Sequence, residues 1–290
     1  VVASDKAVKM LPNFFYDTTF EGRTIGVKEG DTLSLGGRTL TFAMAPMVHW
    51  PEVMVTYDSS EKVLFSADGF GKFGALSRGG EWACEARRYY FNICGKYGAP
   101  VQALLKKAAA LDIAIICPTH GPVLTENLGY YIGLYDTWSK YEPEAKGVLI
   151  AHASIHGGTA AVAHKLAEML RARGVERVSV TDLCRDDMAE AIEDAFKYDR
   201  MVVAAASYDG DVFPPMHNFL HHLLLKNYQK RRVGIIENGS WSPCSGRIMR
   251  GMLEQMKSID IVSPMVSIHS RMNPENQDAL EALADAMMAE

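Results

Sequence analysis

The feature that most limits what this chain can fold into is a rhythm in its second half. Short apolar runs recur, and each ends in a small polar loop. Gly147-Val148-Leu149-Ile150-Ala151 leads to Ser154-Ile155-His156-Gly157-Gly158-Thr159. Met201-Val202-Val203-Ala204-Ala205-Ala206 leads to Ser207-Tyr208-Asp209-Gly210, and Val233-Gly234-Ile235-Ile236 to Asn238-Gly239-Ser240-Trp241-Ser242. Runs without polar alternation read as strands buried on both faces, which is the habit of parallel sheets. Helical patterns fall between them: one from Thr159, with Val162, Leu166, Met169 and Leu170 at helical spacing and Gly174 as its stop, then 186–197, 215–228, 246–256 and 274–288. Further strands are expected at 177–180 and 259–262. Five such units predict an α/β, doubly wound, five-stranded parallel sheet, and the handedness of crossovers leaves few other topologies. In an open sheet of this kind the loops at the carboxyl ends of the strands converge on one crevice.

The first half reads differently. Glu29-Gly30-Asp31 and Leu35-Gly36-Gly37-Arg38 are turn signals between short strands at 24–27, 32–35 and 39–43, continued by 53–57 and 63–66. Helices are expected from 82 to 97 and 101 to 111, then a strand at 113–117. That order predicts a mixed sheet with helices on one face. The charged, proline-containing stretch 141–147 reads as a hinge, giving domains at 1–143 and 147–290.

Composition narrows the partners. The net charge is −5 with no basic block, which argues against nucleic acid or an anionic membrane surface. No apolar stretch approaches the roughly 18 residues of a membrane span. The cysteines (Cys84, Cys94, Cys117, Cys184, Cys244) are odd in number and contain no Cys-x-x-Cys pair, as expected of reduced thiols in a cytoplasmic protein.

The three loops carry the chemistry. Hydroxyls on Ser154 and Thr159, and amides freed by Gly157 and Gly158 at a helix start, can surround a terminal phosphate. The alternative is an ordinary strand-to-helix turn with a threonine cap. Tyr208 and Trp241 stand on the other two loops, where their rings can pack against an isoalloxazine. Backbone groups of Asp209-Gly210-Asp211 and Asn238-Gly239-Ser240 can reach its polar edge. No Gly-x-Gly-x-x-Gly follows a strand, so a dinucleotide site has no support. The reading is an FMN site built by Ser154, Ile155, His156, Gly157, Gly158, Thr159, Ser207, Tyr208, Asp209, Gly210, Asn238, Gly239, Ser240 and Trp241.

These motifs, with Tyr-x-Gly-x-x-Phe-Pro-Pro (Tyr208, Gly210, Phe213, Pro214, Pro215), resemble the flavodoxin-like domain of flavodiiron proteins. The first half resembles the same family independently. Ala45-Pro46-Met47-Val48-His49-Trp50-Pro51-Glu52 is similar to its histidine ligand loop, and Phe65-Ser66-Ala67-Asp68-Gly69-Phe70-Gly71 to its bridging-aspartate loop. Pro118-Thr119-His120-Gly121-Pro122 is similar to its last histidine loop, and Ala86-Arg87-Arg88-Tyr89-Tyr90-Phe91 to one of its helices. The resemblance implies the carboxyl-terminal part of a metallo-β-lactamase-like αβ/βα domain ahead of the flavodoxin-like one. It implies FMN and a non-haem di-iron site, with His49, Asp68 and His120 as metal ligands and catalytic residues. Imidazole and carboxylate suit iron, and one carboxylate can bridge two cations about 3.5–4 Å apart. Taken singly, each of these residues reads more readily as satisfying a turn than as a ligand.

The family's earlier His-x-Glu-x-Asp-His cluster has no counterpart here, because His49 is the only histidine before His120. The expectation is a chain that starts inside the lactamase-like domain, after that cluster. The resemblance further implies reduction of dioxygen to water or of nitric oxide to nitrous oxide. Rubredoxin or a reduced deazaflavin would be the electron donor, and a head-to-tail homodimer or tetramer the assembly. Two alternatives stay open: an FMN-binding, flavodoxin-type electron carrier without a metal, and a zinc hydrolase. Iron per flavin separates them.

Overall fold

The computed structural model describes residues 1–77 and 79–289, which divide into two compact units, Val1–Lys140 and Tyr141–Glu290. In the first unit, β1 (Val2–Ser4) leads into α1 (Asp5–Phe14), and Ser4 caps that helix by accepting from the Ala7 amide at 3.2 Å. β2 (Ile25–Val27) pairs with β1 in a separate two-stranded parallel sheet. A five-stranded sheet follows in the order β3 (Thr32–Ser34), β4 (Thr39–Met44), β5 (Met54–Asp58), β6 (Val63–Phe65) and β7 (Ile115–Cys117). Its first four strands are antiparallel and β6–β7 is parallel. Consequently β4, β6 and β7 all end at the same edge.

Three helices complete this unit: α2 (Trp82–Ile93), α3 (Gly98–Ala108) and α4 (Leu128–Ser139). The sequence reading missed α4. Its Leu-Gly-Tyr-Tyr-Ile-Gly start mixes glycine with strand-forming residues and shows no helical period. Tertiary packing holds it instead, through Trp138, whose ring lies 5.4 Å from Tyr135, 5.5 Å from Tyr90 and 6.2 Å from Phe91.

The second unit alternates strand and helix: β8 (Ala145–Ala153), α5 (Gly158–Ala172), β9 (Val178–Asp182), α6 (Met188–Lys197), β10 (Tyr198–Tyr208), the short β11 (Asp211–Val212), α7 (Pro214–Leu225), β12 (Gln229–Asn238), α8 (Ser245–Leu253), β13 (Lys257–Ile261), β14 (Val266–Ile268) and α9 (Gln277–Met288). The strands run parallel in the order β13-β12-β10-β8-β9, so the doubly wound α/β fold is as expected. Val148, Ile150, Val202 and Ile236 fill its centre at 0% exposure. Each such side chain stabilises the fold by about 1.5–3 kcal/mol relative to exposure.

Two details depart from expectation. The last strand is interrupted: β13 pairs with the start of β12, and β14 resumes on the end of β12, opposite Ile236–Asn238. The expected hinge at 141–147 is partly structure, because β8 begins at Ala145 and the Tyr141 carbonyl accepts from the buried Arg231 guanidinium at 2.8 Å.

Candidate functional site

In the second unit, the ends of β8, β10 and β12 open a cavity of about 780 Å³. The expected flavin residues all line it except Gly157. Ala206, Ser242, Cys244 and Ser270 also line it, which the sequence reading did not assign. Ser270 belongs to a fourth loop, after β14. No sequence signal marked it, since its place depends on where the interrupted strand ends.

The first loop is built as a donor surface. Gly157 adopts φ +86°, which its lack of a Cβ permits, and α5 starts with no side-chain cap. Ser154 Oγ accepts from the Gly157 amide at 3.1 Å, and Thr159 Oγ1 accepts from the Asn238 side-chain amide at 3.1 Å. Each hydroxyl hydrogen must point away from the N–H its oxygen accepts, and both residues line the cavity. Two hydroxyl donors at an uncapped helix start favour an anion. At α8 the outcome is opposite. Ser207 Oγ accepts from the Cys244 and Ser245 amides at 2.8 and 3.1 Å, and the Glu237 carboxylate accepts from Gly246 at 2.9 Å. The α8 terminus is already satisfied, whereas α5 starts with no side-chain cap.

Around the rim, Ile155 is 42%, Tyr208 46% and Trp241 91% exposed. Large apolar groups grouped on a cavity mouth mark a ligand or partner surface. The third loop is tied inward: Ser240 and Ser270 hydroxyls lie 2.6 Å apart, and His269 Nδ1 sits 3.0 Å from the Gly239 carbonyl. On β8, just ahead of the first loop, His152 is 2% exposed and its Nδ1 has no hydrogen-bond partner. Burial holds its imidazole below the ordinary value of 6.5, against a smaller opposing pull from Asp182.

In the first unit, His49 lies in the loop between β4 and β5, Asp68 follows β6, and His120 follows β7. The shared sheet edge brings the three together. His49 Nε2 stands 3.3 Å from Asp68 Oδ2, and His120 Nε2 stands 3.4 Å from Asp68 Oδ1, one imidazole to each carboxylate oxygen. Thr119, also unassigned from sequence, clamps the pair of loops. Its amide donates to the Ala67 carbonyl at 2.8 Å and its hydroxyl to Asp68 Oδ1 at 2.7 Å. Gly121, at φ +94°, lets this loop pass Lys72, whose Cγ would stand 2.9 Å from any added Cβ. Tyr89 packs its ring 5.7 Å from His120, and burial followed by the Asp68 charge raises its phenol. The Cys94 thiol is pushed up to about 12, mainly by burial, so it stays a thiol.

The donor set fits part of a two-cation site, with a carboxylate between two imidazoles. Among the described residues no group of three or more His, Cys, Asp or Glu side chains converges as a closed metal site. All five cysteines are free, and no described helix is long and apolar enough to cross a membrane.

Comparison with known proteins agrees with this geometry. Residues 1–121 match the ODP family beta lactamase model. A nitric oxide reductase of Moorella thermoacetica is 31% identical over 82% of this chain and 61% of its own. A coenzyme F420H2 oxidase of Methanothermobacter marburgensis is 29% identical over 77% of this chain and 57% of its own. Among solved structures, rubredoxin oxygen:oxidoreductase from Desulfovibrio gigas superposes with a TM-score of 0.89 at 24% identity, covering 99% of this chain and 73% of that one. The flavodiiron protein of Giardia intestinalis gives 0.85 at 22% identity, over 99% and 72%. A lactamase-like unit ahead of a flavodoxin-like unit is the fold this chain shares with those two solved structures. The chain spans about three fifths of the length of the curated relatives it matches, 61% and 57% for the reductase and the oxidase.

Proposed function

We propose that this chain takes part in flavodiiron oxidoreduction. Electrons from a redox partner, rubredoxin or a reduced deazaflavin, would pass by way of FMN to a di-iron site. There dioxygen is reduced to water, or nitric oxide to nitrous oxide. Bound FMN supplies a carrier able to take electrons in a pair and release them singly, and bound iron supplies open positions for a diatomic ligand. The observation that carries the reading is the pair of cavity hydroxyls, Ser154 and Thr159, each of which already accepts an N–H and so turns its own hydrogen elsewhere.

Within this reading, Ser154 and Thr159 bind the FMN phosphate, and Tyr208 and Trp241 cover the ring. Backbone groups of residues 209–210 and 239–240 meet its polar edge. His49, Asp68 and His120 hold iron, Asp68 between the histidines, and Thr119 fixes the carboxylate. Their placement at one sheet edge, and the names of the relatives, support this reading. The assembly is proposed as a head-to-tail homodimer, located in the cytoplasm. A second reading is an FMN carrier without metal. Iron and FMN measured on one purified batch decide between them. About two iron per flavin, with dioxygen or nitric oxide consumed when reduced rubredoxin is added, supports the first. Flavin without iron leaves the carrier, and absence of both removes the proposal.

A further inference from the structure

Asn238 lines the flavin cavity, yet its side chain is fully engaged elsewhere. Its Oδ1 accepts from the Ser270 amide at 2.9 Å, and its Nδ2 donates to the Ser270 carbonyl at 3.2 Å and to Thr159 Oγ1 at 3.1 Å. The backbone of Ser270 fixes which end is which: an N–H requires the oxygen and a C=O requires the nitrogen. The atom facing Thr159 is therefore the donor, and both its hydrogens are used. Thr159 is 1% exposed, so protein groups enclose nearly all of its side chain. A hydroxyl that accepts from a fixed amide must turn its own hydrogen elsewhere, and the cavity lies in front of it.

From this geometry we infer that Asn238 is a positioning residue that makes Thr159 an obligate hydrogen-bond donor and thereby selects a flavin carrying a terminal phosphate. The inference rests on the FMN reading and deepens it. It separates two roles that cavity lining alone merges: Thr159 touches the phosphate, whereas Asn238 acts through Thr159. The same amide reads the fourth loop. Ser270 carbonyl oxygen would stand 2.0 Å from a Cβ at Gly158, and Asn238 Nδ2 would stand 3.4 Å from it. Asn238 thus sits where the phosphate loop and the Ser270 loop press together, and orders both with one planar group.

The quantity to measure is the ratio of riboflavin to FMN dissociation constants, titrated on the flavin-stripped full chain. This ratio isolates the phosphate, since the ring is common to both ligands. Asn238→Asp keeps the shape and the acceptor for the Ser270 amide, but turns the group facing Thr159 into an acceptor. In the native background the ratio should fall about tenfold or more, the scale of a hydrogen bond to a charged group. In a Thr159→Val background the further substitution should change the ratio little, because there is no hydroxyl left to direct. The longer-range charge of the new carboxylate acts in both backgrounds and cancels in the cycle. If N238D does not fold, N238S read in the same cycle serves.

An equal fall in both backgrounds would overturn the inference, as would equal weakening of FMN and riboflavin. A native chain that binds both flavins alike would also overturn it while leaving the flavin reading in place. Binding of neither flavin would remove both.

Discussion

The two candidate centres are built on opposite plans. In the flavodoxin-like unit the polar side chains behind the cavity satisfy one another, and what remains unsatisfied points into it. Asn238 ties Thr159 to Ser270, Ser154 accepts separately from the Gly157 amide, and all four side chains line one cavity. In the lactamase-like unit the three candidate ligands turn toward each other, with the histidines on either side of Asp68. The first arrangement is preorganised for an anion. The second is a set of mutually paired donors that a cation would have to part. Preorganisation comes from hydrogen bonds that leave a residue only one remaining option, and proximity alone does not supply it.

That contrast can be broken at several points. The largest effect is expected from Asp68→Ala, which removes the carboxylate that His49, His120 and Thr119 all contact. Iron affinity should fall by more than about 100-fold, beyond what loss of an outer hydrogen-bond partner costs. Flavin content should be unchanged, and a parallel loss of FMN would refute the independence of the two centres. Metal and flavin analysis of one batch reads both.

Gly158→Val comes next. The new Cβ would meet the Ser270 carbonyl at 2.0 Å, so the fourth loop must move. The expected cost is about 1–3 kcal/mol in stability, with loss of FMN retention. A variant that keeps flavin through gel filtration would show that the loop is not part of the cradle.

Trp241→Ala should leave the unfolding free energy within about 0.5 kcal/mol of native, because a ring 91% exposed contributes little to folding. FMN affinity, followed by flavin fluorescence, should drop by about 0.5–1.5 kcal/mol, the worth of an aromatic contact. Unchanged affinity would move the flavin ring away from this loop.

The smallest effect is a pH dependence. His152 has a depressed folded-state pKa, chiefly from burial, so below about 6.5 the unfolded chain binds more protons than the folded one. Its contribution to stability is therefore intact above that pH and is lost as pH falls through it. His152→Gln should flatten the difference in urea midpoint between pH 7.5 and 5.5, and an unaltered difference would assign the pH dependence to other groups.

Much of this was legible in the sequence because its signals are local. Continuous apolar runs specify strands buried on both faces, and Pro214 and Pro215 mark the start of α7, so the second unit's order of elements followed directly. The first unit was harder. Its strands are short, and α4 carries glycines and aromatic residues without a period, so its existence depends on Trp138 finding the aromatic rings of α2.

The sequence by itself determined the element types, the parallel sheet and the loops in which chemistry could occur, since these follow from residue type and spacing. Only the tertiary structure decided which polar groups are spent and which are spare. Ser207 and Glu237 satisfy α8, Asn238 donates to Thr159, Thr119 reaches Asp68, and Ser270 joins the cradle from beyond an interrupted strand. Each of these depends on a hydrogen bond between residues far apart in the chain or in separate loops. Such bonds have direction as well as distance, and direction exists only once the backbone is in place.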